Sequence, residues 1–290
     1  MRRSLKLDES GFGRLVVIFA SAYVAIRLPA FRGVADLSAS SFEPVGILWF
    51  LRSPLPRAVW SGVLGLLFLS GLVMISGRAT RVAMAVFASC VLVATTYRSS
   101  WGQLLWFENL LVIHLVILSF AVVVRPVSDE NRQQPWAMQW CAVATVVLYL
   151  LAGVAKLRYG GSGWVSGDVL ANHIGYSSAR LSIFGERRPL LASFAVNHPS
   201  ALALASFAAV ALELGAPMAL FRRWLSLLWA TAMWATHVGI ALTMAVVFPY
   251  PMVGLAFVPV LAVAGFASQR SFPEVGTPAD VRNAANSASE

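Results

Sequence analysis

Residues 137–155 read AMQWCAVATVVLYLLAGVA, without a single Asp, Glu, Lys or Arg, and Lys156 follows at once. A helix of about 20 mainly apolar residues is long enough to cross the hydrocarbon core of a bilayer. The whole chain of 290 residues has this character, since 58% of it is hydrophobic, 12% is charged and its mean hydropathy is +0.73. Soluble domains carry about 25% charged residues. The composition therefore excludes an ordinary globular enzyme and predicts an integral membrane protein.

Further apolar runs predict an all-α, multi-pass membrane helix bundle of about eight transmembrane helices. The predicted spans are residues 13–30, 58–76, 82–97, 104–124, 137–155, 200–220, 224–247 and 252–267. We expect Pro259 to kink the last span. Residues 157–199 are typical of one or two amphipathic helices, with Asp168 as an N-cap. The bundle takes up residues 1–267, and the Pro-, Asn-, Ala- and Ser-rich residues 268–290 are expected to be a disordered tail.

The basic residues predict how the chain lies in the membrane. The net charge is +9, and most of the 22 Lys and Arg lie in gaps between apolar runs. There they would orient the helices and contact membrane lipids, so we expect no nucleic acid as a partner. With a cytoplasmic N-terminus, the inner loops collect more basic residues than the outer ones, and residues 157–199 are extracytoplasmic. Cys90 and Cys141 lie inside apolar runs, where we expect buried thiols rather than a disulfide.

Lys156 is the first candidate functional residue, because a charge inside a bilayer is costly and marks a functional site by default. If its amine is shielded from water, the charged form is disfavoured and the amine can act as a base. The alternative interpretation is a lysine that extends from a helix end to the lipid headgroups. Ala152 and Gly153 are small enough to let another helix approach closely, which favours an enclosed site.

Glu213 and His237 are the next candidates, both inside predicted spans. A carboxylate at the depth of Glu213 must be neutral or partnered. It is either a polar anchor or acid in a site, or the partner of a helix-breaking turn at Pro217. His237 is either a hydrogen-bonded residue between helices or a group that transfers protons or contacts a ligand.

Glu108, Asn109 and His114 lie on the fourth predicted span and are open to the same two interpretations. Glu108 and His114 do not share one face of a helix, and this favours a structural role. The histidines lack the spacing of helical metal ligands, and the sequence has no Cys-x-x-Cys pair, so we expect no metal.

Three blocks of sequence resemble one known family. They are Tyr149-x-x-Ala152-Gly153-Val154-Ala155-Lys156-Leu157 with Gly163-Trp164-x-x-Gly167, then Glu213-Leu214-Gly215-Ala216-Pro217-Met218, then His237 followed by Phe248-Pro249-Tyr250-Pro251-Met252. In this order they resemble the HTTM (horizontally transferred transmembrane) domain. That domain is the membrane part of vitamin K-dependent gamma-carboxylase and of its bacterial relatives. The resemblance covers residues 10–267.

The resemblance implies a helix bundle with a central cavity that opens to the extracytoplasmic side of a bacterial plasma membrane. It also implies a reduced, vitamin K-like quinone as cofactor. Lys156 matches the second lysine of the family's Ala-Gly-Val-Lys-Lys-Leu motif and would be the general base, while Ala155 replaces the first lysine. In an enzyme of this kind, Glu213 and His237 are the further candidate catalytic residues beside Lys156. The candidate substrate-binding residues are Trp164, Asp168, Glu108, Asn109 and His114.

Two departures from the carboxylase define the alternatives. The carboxylase motif Trp-Asn-Asn-His is replaced by Trp101-Gly102-Gln103-Leu104, and no counterpart of its extracytoplasmic substrate domain follows the bundle. One hypothesis is a carboxylase-like or quinol-linked enzyme, a lyase in the first case. The other is a non-catalytic membrane accessory protein for the maturation of a secreted peptide, with residues 157–199 binding that peptide or a small soluble partner. A transporter is less favoured, because the sequence shows no repeated halves.

Overall fold

The computed structural model describes residues 9–76, 81–102, 108–124 and 136–269, and every regular element in these ranges is a helix. Helices suit a bilayer because each one pairs its own backbone N–H and C=O groups where no water is at hand. The predicted all-α fold class is confirmed for this part of the chain. Of the tail predicted over 268–290, only 268 and 269 lie among the described residues, and they belong to the last helix.

The α-helices pack as a bundle and are numbered in chain order. They are α1 (Glu9–Gly33), α2 (Arg57–Ile75), α3 (Arg81–Ser99), α4 (Asn109–Val124), α5 (Trp136–Gly160), α6 (Ser162–Ser166), α7 (Asp168–Ile183), α8 (Ala192–Asn197), α9 (Pro199–Leu214), α10 (Arg223–Met244), α11 (Pro249–Met252) and α12 (Val258–Gln269). Short 3-10 helices cover Val34–Asp36, Ala39–Ser41, Gly46–Leu48 and Ala216–Leu220.

By length and composition, 5 helical stretches among the described residues can cross a membrane. They are Gly11–Asp36, Arg57–Ile75, Arg81–Ser99, Trp136–Gly160 and Arg223–Met244. Two further apolar helices, α4 and α9, are shorter. The chain is therefore an integral membrane protein, as its composition predicts.

The sixth predicted span, residues 200–220, is broken in its last third. α9 ends at Leu214, the Gly215 N–H donates to Ala211 O at 2.8 Å, and the chain continues as the 3-10 helix Ala216–Leu220. Pro217 explains the break, because proline has no N–H for the helical ladder. The break lies directly after Glu213.

The last predicted span, residues 252–267, begins later than expected. α11 ends at Met252, a turn follows, and α12 begins at Val258. Pro259 thus lies in the first turn of α12, where a helix needs no N–H from proline. The predicted kink at Pro259 is wrong for this reason.

α5 is the helix around which the candidate site is built. It packs against α4, α9 and α12, while α1 to α4 follow one another as neighbours. The buried core includes Cys90 and Cys141, and the prediction that both are buried thiols is confirmed. The largest fully buried side chains are Trp60, Tyr97, Tyr250, Phe12, Phe31, Phe87, Leu67, Leu115, Met138, Ile174, Met233 and His114.

Residues 157–199 form the end of α5 and the helices α6, α7 and α8. Gly167 joins α6 to α7 at φ +88°, and a Cβ there would come within 2.9 Å of the Ala203 backbone on α9. Only glycine allows both this conformation and this approach. The N-cap of α7 is Gly167 rather than Asp168, which is the first helical residue. The predicted capping role of Asp168 is therefore wrong, and its carboxylate accepts instead from Ser166 Oγ at 2.6 Å.

Candidate functional site

The Lys156 side chain ends against Glu213, with Nζ donating to Oε1 of the carboxylate. The two side chains are 23% and 9% exposed. Charges shielded from water attract one another more strongly than charges on a surface, and an unpartnered carboxylate at this depth would be costly. Lys156 is thus held inside the bundle by a partner rather than left as a lone amine. The residues are 57 positions apart in the chain, and packing of α5 on α9 brings them together.

Gly153 makes this contact possible. It lies on the same face of α5 as Lys156, one turn earlier. A Cβ at Gly153 would lie 3.0 Å from Glu213 Cβ and 3.1 Å from the Leu214 side chain. The predicted close approach of a second helix at this small residue is confirmed.

Trp164 covers Lys156 from the side of α6. Lys156 Nζ lies 5.2 Å from the centre of the indole ring, a distance at which the ring face attracts a cation. A Cβ at Gly160 would overlap the indole, so the absence of a side chain there leaves room for it. Ser206 Oγ on α9 donates to the Trp164 carbonyl and fixes the backbone of α6. Among the predicted substrate-binding residues, Trp164 is the one that these contacts place beside Lys156.

Tyr149 adds a further polar group to this face of α5, two helical turns before Lys156. Its hydroxyl and His237 Nε2 on α10 lie 2.7 Å apart. Tyr149 lies within electrostatic range of Glu213, and His237 within that of Lys156. We call Lys156, Glu213, Trp164, Tyr149 and His237 the Lys156 cluster.

Two atoms of the Lys156 cluster have no hydrogen-bond partner among the residues that the structure describes. Within the described part of the chain, Glu213 Oε2 and His237 Nδ1 are buried and have no hydrogen-bond partner. Buried polar atoms are rarely left unpaired, and such atoms in a native structure call for an explanation. If the Tyr149 hydroxyl donates to Nε2, the ring proton of neutral His237 resides on Nδ1. The cluster would then offer one acceptor and one donor.

His114 lies elsewhere and is fully bonded. Its Nδ1 is 2.7 Å from the Tyr250 hydroxyl, and its Nε2 is 3.0 Å from Thr145 Oγ1 and 3.1 Å from Cys141 O. The residue is fully buried. Its contacts connect α4 to α5 and α11, an arrangement that favours the structural interpretation of His114.

Glu108 is in a second charged group, at the start of α4. Its Oε1 accepts from the Tyr23 hydroxyl and from Arg98 Nη1, the latter at 3.2 Å. Neighbouring Asn109 is exposed. Neither Tyr23 nor Arg98 is among the site residues predicted from the sequence. Arg98 could have been found as a basic residue in the last turn of an apolar helix.

The other sequence predictions fall outside the Lys156 cluster. Asp168 is exposed, and its carboxylate is occupied by Ser166. No group of His, Cys, Asp and Glu suited to a metal ion occurs in the described ranges. Tyr149 belongs to the first motif block but is not among the site residues predicted from the sequence, although its spacing from Lys156 places both on one face of α5.

No family model, no curated protein and no solved structure matches the chain. The HTTM resemblance stays a prediction from the three motif blocks. Those blocks are adjacent in space: the first supplies Lys156 and Trp164, the second Glu213, and the third His237, whose ring is 4.7 Å from that of Phe248.

Proposed function

We propose that the chain is an HTTM-family membrane enzyme, similar to vitamin K-dependent gamma-carboxylase, that acts on a quinol or peptide substrate with Lys156 as general base. The observation that carries the proposal is the Lys156–Glu213 contact, shielded from water between α5 and α9. Ionisable residues inside a membrane helix bundle are functional-site candidates by default.

A reduced quinone suits the atoms that the Lys156 cluster leaves unpaired. It would supply phenolic hydroxyls, which donate and accept hydrogen bonds. Among the described residues, Glu213 Oε2 is an unpaired acceptor, and His237 Nδ1 becomes a donor when Tyr149 donates to Nε2. The aromatic rings of Trp229 and Phe257, which pack on Tyr149, give this region apolar walls. Few polar groups among aromatic walls are the usual lining of a small-molecule site.

Lys156 and Glu213 would share the work of proton transfer. In a medium of low dielectric constant, moving the proton from Lys156 to Glu213 replaces an ion pair by two neutral groups. The neutral amine can then accept a proton from a bound hydroxyl. The ring face of Trp164 would stabilise the ammonium that forms. His237, oriented by Tyr149, would donate from Nδ1 to the oxygen that has lost its proton.

The finer architecture belongs to the same proposal. It is a bundle of about eight spans over residues 1–267 in a bacterial plasma membrane, with a cytoplasmic N-terminus. α6, α7 and α8 then lie on the extracytoplasmic side. The Lys156 end of α5 faces that side too, from which a peptide would reach the cluster.

The test compares Lys156→Ala with wild-type protein. Both are purified in detergent, co-extracted quinones are identified by mass spectrometry, and oxidation of an added naphthoquinol is followed by absorbance, with and without a glutamate-containing peptide and CO2. We expect the substitution to lower turnover by about 10²–10⁴-fold, the usual contribution of a general base. Arg158→Gln is the matched control, because Arg158 is an exposed basic residue on the same helix.

Equal quinone content and equal turnover in wild type and Lys156→Ala would refute the enzyme proposal. Lys156→Arg separates charge from basicity, since arginine keeps the cation but cannot lose its proton. We expect Lys156→Arg to stay folded and to be inactive.

The second candidate function is that of a non-catalytic accessory protein. α7, α8 and the turn between them expose Ile183, Leu190 and Phe194, which are 80%, 81% and 57% accessible. Apolar side chains clustered at a surface mark binding sites for proteins or membranes. A gene for a secreted peptide or small soluble partner beside this one would favour this function, and quinone-biosynthesis neighbours would favour the enzyme. A stable complex with that partner, formed equally well by Lys156→Ala, would support it directly.

A further inference from the structure

A second charged group joins α1 to the last turn of α3 and the start of α4. Tyr23 and Arg27 come from α1, Arg98 from the last turn of α3, and Glu108 directly precedes α4. Arg98 Nη1 donates to Glu108 Oε1 at 3.2 Å, and the Tyr23 hydroxyl donates to the same oxygen. The Arg98 guanidinium also lies 5.6 Å from the ring of Phe31 on α1. We call Tyr23, Arg27, Arg98 and Glu108 the Arg98 cluster.

The Arg98 cluster has one more positive charge than negative. Arg27 interacts electrostatically with Glu108 and Arg98, but among the described residues it makes no ion pair, and its Nε is buried without a hydrogen-bond partner. Glu108 is 3% exposed, and its Oε2 is likewise buried and unpartnered within the same ranges. A guanidinium N–H that is buried without an acceptor is costly, and an anion would complete it. The carboxylate oxygen calls for a donor.

These two needs define the chemistry of a ligand. A phosphodiester supplies anionic oxygens, and the planar guanidinium is the side chain best shaped to bind them. A hydroxyl or ammonium group beside that phosphate would donate to Glu108 Oε2. Phospholipids with a glycerol or ethanolamine headgroup carry both features, whereas a choline headgroup has the same phosphate and no donor.

The Arg98 cluster lies toward the side of the bundle on which α3 ends. α1, α2 and α3 follow one another as packed neighbours, so the ends of α1 and α3 lie on the same side of the bundle. Lipid phosphates are concentrated at helix ends, and basic pockets between membrane helices bind headgroups.

We propose that the Arg98 cluster is a binding site for a phospholipid headgroup, in which Arg27 and Arg98 hold the phosphodiester and Glu108 accepts from the glycerol hydroxyl or ethanolamine ammonium. The site is separate from the Lys156 cluster and does not depend on the enzyme proposal. Its ligand stabilises the junction of α1, α3 and α4 at the edge of the membrane.

Delipidated protein in detergent, given phosphatidylethanolamine, phosphatidylglycerol or phosphatidylcholine, tests the proposal by native mass spectrometry. We expect wild-type protein to retain the first two lipids in preference to the third. Arg27→Gln should lower their retention by about tenfold, in keeping with a charge-assisted contact. Arg32→Gln, which removes an exposed arginine from the last turn of the same helix, should leave retention unchanged.

Glu108→Gln sharpens the test. The variant should still bind the lipid phosphate, but it should prefer phosphatidylethanolamine and phosphatidylglycerol over phosphatidylcholine less than wild type does. Arg27 makes no ion pair within the described residues, so Arg27→Gln is expected to fold, and its Tm without lipid checks this. Displacement of the lipid by soluble glycerophosphoethanolamine would show that the headgroup alone suffices; no displacement would show that the acyl chains are needed. Equal retention by Arg27→Gln and Arg32→Gln, or equal retention of all three lipids, would overturn the proposal.

Discussion

His114 and His237 are both buried, and each lies 2.7 Å from a tyrosine hydroxyl, yet their surroundings differ in one respect. Both ring nitrogens of His114 contact protein groups, whereas His237 Nδ1 has no partner in the described part of the chain. A histidine whose two nitrogens are occupied by its own protein connects helices and has nothing left for a substrate. A histidine with one unpaired nitrogen, near a Lys–Glu pair, retains a group that can bind one.

The largest expected effect is on stability and comes from His114→Ala. The substitution leaves a cavity at a fully buried position and removes partners of Tyr250 and Thr145. We expect a loss of about 2–4 kcal/mol from the free energy of unfolding. Thermal unfolding in detergent measures it.

His237→Ala is the matched comparison, and we expect a smaller loss of stability because only one hydrogen bond is broken. The order should be reversed for quinol turnover, which His237→Ala should lower more than His114→Ala does. A drop in turnover for His114→Ala beyond the fraction that unfolds would break the distinction between the two histidines.

Gly153→Leu tests whether the close approach of α5 and α9 maintains the Lys156 cluster. A Cβ at this position already meets Glu213 and Leu214 at 3.0–3.1 Å, so a larger side chain must push the helices apart. We expect a destabilisation of about 1–3 kcal/mol, typical of overpacking, together with loss of turnover.

Gly65→Leu is the control for Gly153→Leu, because a Cβ at Gly65 on α2 would meet nothing within 4 Å and the residue is exposed. We expect Gly65→Leu to change the free energy of unfolding by no more than a few tenths of a kcal/mol. Its turnover should equal that of wild type. Retained activity in Gly153→Leu would show that the contact of Lys156 with Glu213 is dispensable.

The sequence was sufficient for features that depend on local composition. The apolar run 137–155 predicts α5, and the small residue Gly153 predicts the close approach of a second helix, because both follow from side-chain size and polarity alone. Lys156 and Glu213 each stand out as ionisable groups in apolar surroundings. Their pairing across 57 residues does not follow from the pattern, since it depends on how α5 and α9 pack.

Features that depend on backbone geometry were harder to predict. The run 200–220 has the length of one span, but Gly215 and Pro217 divide it, and hydropathy does not register a missing N–H. The polarity of Asp168 suggested a cap, whereas Gly167 takes that position because the turn needs a positive φ. The hydrogen bond of Tyr149 to His237 was missed, since a tyrosine inside an apolar run resembles a packing residue.

The smallest expected effect is the difference between Tyr149→Phe and Tyr250→Phe, which remove the hydroxyls that bond to these two histidines. Tyr149→Phe and Tyr250→Phe each remove one hydroxyl and leave one more histidine nitrogen unpaired, so each should cost about 1–2 kcal/mol in unfolding free energy. Their effects on turnover should differ. Without Tyr149, neither tautomer of His237 is favoured and Nδ1 no longer reliably carries the proton, so turnover should fall severalfold. Turnover of Tyr250→Phe should equal that of wild type once corrected for folded protein, and equal losses in both variants would contradict the proposed role of Tyr149.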